Sequence, residues 1–173
     1  TFMHLLKPIT SAIIVSYCLL ASVTSAALDS DREQPIQIAA DAAELNEGKG
    51  FSVYSGNVII TQGSMVIEAA RVKITFDDNS IQTMLATDGK HDGRAYMRQL
   101  SEGEAGDMME AWGQSIDYLI DDQLLTLLGN AKLIQKGNHF SGESIIFDIP
   151  NDNVKASGGN DGRVQMIFLP KTK

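Results

Sequence analysis

The stretch "SGNVIITQG" at 55–63 is answered 73 positions later by "LGNAKLIQKG" at 128–137. A gapless shift of 73 sets Phe51 on Leu124, Gly56 on Gly129, Asn57 on Asn130, Gln62 on Gln135, Ile67 on Phe140, Val72 on Ile145 and Ile74 on Phe147. Apolar positions and turns keep register over about 60 residues, although identity between the copies is low. Self-similarity at a fixed period marks a chain built from copies of one unit, each of which has an unburied face until its neighbour covers it. Two copies of a meander-like unit around one continuous core follow. Gly-Asn is expected at the tight corner that opens the central strand of each copy.

The period of the apolar residues sets the kind of unit. Val72, Ile74 and Phe76 alternate with Arg71, Lys73 and Thr75. Ile116, Tyr118 and Ile120 alternate with Asp117, Leu119 and Asp121; Ile145, Phe147 and Ile149 enclose Asp148; Val164, Met166 and Phe168 enclose Gln165. Alternation with β-branched and aromatic residues is the mark of half-buried strands. Asx and Gly residues punctuate them at 46–48, 62–64, 77–79, 137–138 and 151–153, where they favour turns. The spacing predicts an all-β, antiparallel roll, sandwich or barrel. "AADAAEL" at 39–45 is the only helix-like stretch and is too short, and too poorly capped, to count as one.

The first 26 residues read as a separate element. Lys7 precedes an apolar run from about Ile9 to Val23, and small residues follow at 24–27. This is the pattern of a secretory signal peptide cleaved after Ala26 or Ala27, and the run is short for a membrane span. A single domain over 27–173 is expected beyond it, exported and soluble. Removing Lys7 takes the formal charge from −8 to −9, and removing Cys18 leaves no cysteine. Such a domain holds together through its core and hydrogen bonds, without disulfides.

Charge and motif content narrow the function. The acidic balance, with no cluster of Lys and Arg, argues against nucleic-acid partners. His91 and His139 lie beside turns, no Gly-x-Ser-x-Gly elbow occurs, and no His/Cys group has metal-ligand spacing. The acidic turns at 77–82 and 151–156 lack the glycine and terminal glutamate of a calcium loop. Asp121-Asp122 point to opposite faces of a strand or lie in a turn, a poor arrangement for acid–base work. No catalytic residue, metal ligand or cofactor is expected. A binding module and a purely structural β-module of the cell envelope are the two readings that remain.

The segment "QPIQIAADAAELNEGKGFSVYSGNVIITQGSMVIEAARVKI" resembles the OstA-like family of lipopolysaccharide-transport domains. The matching positions are Gln34-Pro35-Ile36, Asp41, Leu45, Tyr54-x-Gly56-Asn57-Val58 and Thr61-Gln62-Gly63, with Tyr118, Leu127-x-Gly129-Asn130-Ala131 and Gly142 in the second half. The resemblance covers essentially all of 27–170. Two departures stand out: Asp88-Gly89-Lys90-His91 replaces the usual Gly-x-Pro, and the acidic "LSEGEAGDMMEAWG" at 100–113 reads as an insertion between the halves.

The resemblance implies a twisted, partly open antiparallel β-jellyroll in the periplasm that holds the acyl chains of lipopolysaccharide, or of its lipid A part, in an apolar groove. It places Ile36, Ile38, Tyr96, Ile116, Tyr118 and Ile120 along that groove. Read from the residues alone, ordinary core is the simpler assignment for Ile36, Tyr118 and Ile120, while Tyr96 sits in a polar stretch and fits the mouth of a groove equally well. It also implies three protein partners: further copies joined head to tail, an inner-membrane LptC-type subunit and the N-terminal domain of an outer-membrane LptD-type subunit. The apolar strands near Ile36–Ile38 and Val164–Leu169, blunted only by Pro35 and Pro170, are expected at opposite ends of the roll, with Ile36, Ile38, Val164, Met166 and Phe168 at the joints. A groove of this kind needs no basic cluster. At ~0.8 kcal/mol per buried CH₂, a chain of about a dozen carbons offers on the order of 10 kcal/mol before costs.

Overall fold

The computed structural model describes residues 31–78, 80–101, 106–160 and 162–170; the expected leader lies outside them. The described chain forms β1 (Gln37–Ala39), β2 (Ala42–Asn46), β3 (Phe51–Gln62), β4 (Met65–Asp77), β5 (Ser80–Thr87), β6 (Ala95–Leu100), β7 (Met108–Gly113), β8 (Ser115–Leu119), β9 (Leu124–Gln135), β10 (Asn138–Asp148), β11 (Asn153–Ser157) and β12 (Gln165–Ile167), with a 3₁₀ turn at Glu47–Lys49. Every pairing between strands is antiparallel. The chain is thus an antiparallel all-β roll built from two similar halves.

The 73-residue shift is a structural identity. It carries β2 onto β8 and β3 onto β9, end for end. It also carries pairings onto pairings: Ile38↔Ile60 becomes Ala111↔Leu133, Leu45↔Ser52 becomes Tyr118↔Leu125, and Ile60↔Ile67 becomes Leu133↔Phe140. The halves part at the next hairpin, where Arg71 pairs Thr87 but its counterpart Ser144 pairs Ser157, a register difference of three residues.

Gly-Asn does not open a strand, as expected from sequence; it bends one in its middle. Gly56 and Asn57 have φ of 77° and 47°, and Gly129 and Asn130 have φ of 73° and 49°. Each pair faces a single residue of the next strand, Ala70 or Glu143, so the ladder skips two residues against one. Such a bulge bends the strand and raises its twist, and the left-handed backbone is one that Gly and Asn accept most readily.

These bends give the roll two walls. The N-terminal parts of β3 and β9 and the C-terminal parts of β4 and β10 run in one wall with β2, β5, β8 and β11. Their other ends run in the second wall with β1, β6, β7 and β12. The corners align along one side, stitched by backbone bonds from Asp41 N to Gly56 O (2.9 Å), Ala70 N to Asp88 O (3.0 Å), Asp88 N to Gln114 O (2.8 Å) and Gln114 N to Gly129 O (3.0 Å). Along the other side lie hairpin turns, and no strand of one wall pairs with the other wall there among the described residues. The jellyroll is closed along its corners and left unpaired along its rim.

Two other sequence expectations need correction. The stretch read as an insertion contains β7, the counterpart of β1, whose Met109 and Ala111 are buried. Its acidic start hid a strand whose alternation is carried by Met and Ala and not by β-branched residues. The last strand is also shorter than 164–169: only Gln165–Ile167 pair, against β10. "AADAAEL" is not helical: it contains the corner at Asp41 and most of β2, because pairing with β3 overrides the helix propensity of its alanines.

Candidate functional site

The space between the walls is lined mainly by apolar side chains, and the polar residues buried with them are Ser52, Gln99 and Gln135. Strand alternation aims Val58, Ile60, Ile67, Val72, Ile74, Met84, Met97, Leu125, Leu127, Leu133, Ile145 and Phe147 into it, all at 2% exposure or less. Around this centre stand partly buried residues, among them Ile36, Ile38, Tyr54, Phe76, Ile81, Ile120, Ile149 and Val154. Asn, Asp and Lys residues keep to the outer faces and turns. Ser52 is an exception: it is 1% exposed, with an Oγ that has no hydrogen-bond partner.

The sequence-selected residues divide into three groups. Ile116 (0% exposed) and Tyr118 (4%) face the interior from β8, and Ile120 continues that face at its half-buried end. Burial raises the Tyr118 hydroxyl pKa, opposed by the charge of nearby Arg32. Asp117 and Leu119 occupy the opposite face, and burial pushes the Asp117 carboxyl pKa up. Ile36 and Ile38 pack half-buried against the core at one end of the roll. Val164 is half-buried, while Met166 and Phe168 are exposed at the other end, where the Phe168 ring meets Phe140 edge-on at 5.9 Å.

Tyr96 does not join the interior. Its neighbours Ala95 and Met97 are fully buried, so alternation turns Tyr96 to the outer face. There its ring lies 4.8 Å from His91 and 5.1 Å from Trp112, and its hydroxyl donates to Glu110 Oε1 at 2.7 Å. Burial and the Glu110 carboxylate both push its pKa up. The correction is one of register: a shift of one residue moves a side chain to the other face of a sheet.

The expected groove is filled, in this structure, by the core side chains themselves. What spans the rim is side-chain bonding. In the first half the segment 31–34 crosses it: Gln62 Nε2 donates to the carbonyls of Arg32 (3.0 Å) and Gln34 (3.1 Å), Ser64 bonds Asp31, and Arg32 Nη2 donates to the Ile120 carbonyl at 3.3 Å. In the second half Gln135 Nε2 donates to Asp152 Oδ1 (2.5 Å) and Lys136 Nζ pairs with Asp152 Oδ2 (2.7 Å). These bonds hold the Asp152 pKa below its ordinary value. Behind that bridge lies a cavity of about 250 Å³ lined by Gln99, Leu100, Met109, Phe147, Ile149 and Asp152, among others.

The fold also gathers cations that the sequence scatters. Arg94, Lys132 and Arg163 line one groove beside the second bulge, together with Glu143. Arg94 donates to the Asn130 carbonyl (3.1 Å) and lies 3.6 Å from Asp92, and Lys132 sits 4.8 Å over the Trp112 ring. No spacing rule links residues 94, 132 and 163, so only the fold could reveal this group. Among the described residues no set of three His, Cys, Asp or Glu side chains could hold a metal ion, and no helix is long and apolar enough to cross a membrane.

Known proteins share this architecture. The lipopolysaccharide export system protein LptH of Pseudomonas aeruginosa is 35% identical over 161 residues, covering 89% of this chain and 90% of the relative. The lipopolysaccharide export system protein LptA of Haemophilus influenzae is 30% identical over 152 residues, covering 88% and 87%. That of Escherichia coli K12 is 26% identical over 158 residues, covering 91% and 83%. The crystal structure of Pseudomonas aeruginosa LptH, titled the LptA-homologous periplasmic component of the lipopolysaccharide transport device, superposes with a TM-score of 0.71 at 34% identity, covering 82% of this chain and 99% of that one. The family model "LptA/(LptD N-terminal domain) LPS transport protein" matches residues 37–153, the span from β1 to the start of β11, and the chain belongs to that family.

Proposed function

We propose that the chain is a periplasmic carrier module of lipopolysaccharide transport, which takes the acyl chains of lipopolysaccharide between its two walls and joins other modules end to end into a bridge from inner to outer membrane. The observation that carries this reading is a mainly apolar interior running from the Ile36–Ile38 end to the Phe140–Phe168 end, between walls that no strand pairing joins along the rim among the described residues, where side-chain bonds and the segment 31–34 cross it. Exposed and part-buried hydrogen bonds and ion pairs of that kind are each worth roughly 1 kcal/mol. A ligand offering about ten methylenes of burial has ample free energy to part them. The charged headgroup stays in water at the rim, which avoids the cost of burying it.

The ends support the assembly. β1 and β2 pair only with β3, and β11 and β12 only with β10, so each end presents unpaired strand edges among the described residues. Such edges are templates for strand addition. An LptC-type subunit and the N-terminal domain of an LptD-type subunit would meet the same two ends. A family of transport proteins supports a role without catalysis.

A filled interior favours a second reading, a structural module without lipid. Photo-crosslinking in cells separates the two. A photoreactive residue at Tyr118, Ile120 or Ile36 is expected to capture lipopolysaccharide, and one at Asp117 or Tyr96, on outer faces, far less. Equal capture at both sets, or none at the first, would leave only the structural reading. Acyl-chain binding also predicts little loss of affinity from low to physiological salt.

A further inference from the structure

Beside each Gly-Asn bulge the roll carries a groove, of about 250 Å³ at the first and about 380 Å³ at the second. They are one site made twice: the 73-residue shift carries all eight residues that line the first groove onto residues that line the second. The shape is shared and the chemistry is not. Ile59 is replaced by Lys132, Glu68 by Ser141, Ala70 by Glu143 and Lys90 by Arg163, and Arg94, the residue before β6, joins the second groove. The first groove thus holds one cation and one carboxylate, Glu68, which bonds His91 at 3.1 Å. The second holds three cations and one carboxylate. In a chain of formal charge −8, that is a local inversion of the field.

Two of the three cations are uncommitted. Among the described residues Lys132 and Arg163 have no carboxylate within ion-pair distance, whereas Arg94 lies 3.6 Å from Asp92 and donates to the carbonyls of His91 and Asn130. Ala131 and Leu133 are buried, so alternation sets Lys132 on the outer face, where its Nζ lies 4.8 Å from the Trp112 ring centre with its charge intact. Ser141, directly opposite Lys132 in the ladder, adds a hydroxyl. A Cβ at Gly142 would run into the Ser157 backbone, and one at Gly158 or Gly162 into the backbone of the other. Side chains are excluded at these three lining positions, which keeps the groove open.

We propose that the second groove binds a soluble phosphate ester, with Lys132 and Arg163 on the phosphate oxygens, the Ser141 hydroxyl donating to one of them and Arg94 adding to the field. The arginine fork and the lysine point charge both suit phosphate oxygens, and charge-assisted hydrogen bonds are stronger than neutral ones. The occupant is a small solute and not a membrane face, because the groove is concave and an acidic chain is repelled by an anionic bilayer. Nor is it the headgroup of a lipid seated between the walls, because the bulges lie on the corner side, away from the rim. The proposal therefore stands apart from the carrier reading. A bound phosphate would tie together β6, β9 and the segment before β12, so it is expected to stabilise the fold by linkage.

The first groove is the internal control. Amide NMR spectra of the protein are recorded as glycerol 3-phosphate is added, against sodium chloride at equal ionic strength. Shifts are expected at Lys132, Ser141 and Arg163 and not at Ile59, Glu68 and Lys90, together with a raised Tm. Lys132→Gln and Arg163→Gln are each expected to weaken binding about three- to tenfold, and Glu143→Gln to tighten it about two- to threefold. Lys90→Gln should leave it unchanged. Spectra without the ester check that each variant is folded; if Lys132→Gln disturbs the fold, Arg163→Gln, at an exposed position, carries the test alone. The proposal is overturned by the absence of shifts, by shifts that sodium chloride reproduces, by equal shifts at both grooves or by binding indifferent to Arg163→Gln. Binding to phosphatidylglycerol vesicles without binding of the free ester overturns it too, and would make the groove a membrane contact.

Discussion

Leu45 and Tyr118 hold the same place in the two halves, pair with equivalent residues, Ser52 and Leu125, and differ only in what covers them. Tyr118 has β5 beside it and is 4% exposed; Leu45 has no strand on the corresponding edge among the described residues and is 61% exposed. One position is core and the other is a free edge. The local sequence therefore specifies a strand and a face, while the neighbour decides whether that face is stability or an interaction surface. The rims teach the same lesson. The bridge at Asp152 belongs to the second half, and the crossing segment 31–34 to the first.

The largest effect should separate these two residues. Tyr118→Asp puts a carboxylate into the core, a change of several kcal/mol, and thermal unfolding is expected to show collapse of the folded state. Leu45→Asp is expected to leave the free energy of unfolding within about 0.5 kcal/mol of the parent but to weaken end-to-end association in sedimentation. A stable Tyr118→Asp protein would mean that β8 lines a space already open.

The corners should respond alike. A side chain at Gly56 would run into Asp41, and one at Gly129 into Gln114. With the left-handed backbone, each Gly→Ala change is expected to cost about 1–2 kcal/mol, measured by urea unfolding. The two costs should add, since the corners are separate. A large difference between them would break the equivalence of the halves.

Smaller is the effect at Ser52, the counterpart of Leu125. Removing its unpaired buried hydroxyl by Ser52→Ala is expected to stabilise the chain by up to about 1 kcal/mol, visible as a raised urea midpoint. A loss of stability would show that the hydroxyl has a partner.

The smallest effect concerns the rim. The Asp152 pKa is lowered in the folded state, so its contribution is present above the ordinary carboxylate value and lost as pH falls through the folded one. Asp152 is half exposed, so the contribution is at most about 1 kcal/mol. Asp152→Asn is expected to lower Tm slightly at neutral pH and to remove that part of the acid loss below about pH 4. It should also raise lipid capture at Tyr118 if the bridge restrains the walls. An unchanged pH profile would show that the bridge adds nothing to the fold.

The alternation of 72–76, 116–120 and 145–149 made strands and the all-β class legible, and the 73-residue shift made the two halves legible, because side-chain period and repeat spacing are written in the chain itself. Ile116 and Tyr118 could be placed on one inward face for the same reason. Tyr96 could not, since its face depends on where β6 pairs with β4, and "DMMEAW" hid β7 because it carries Met and Ala where a β-branched residue would signal a strand. The Gly-Asn pairs were visible as corners, but that they bend a strand in its middle follows only from the bulge opposite Ala70 and Glu143. The sequence by itself determined which residues can face a core. Tertiary structure decided which of them find one, because burial is a property of the neighbouring strand, and among the described residues β1, β2, β11 and β12 have such a neighbour on one edge alone.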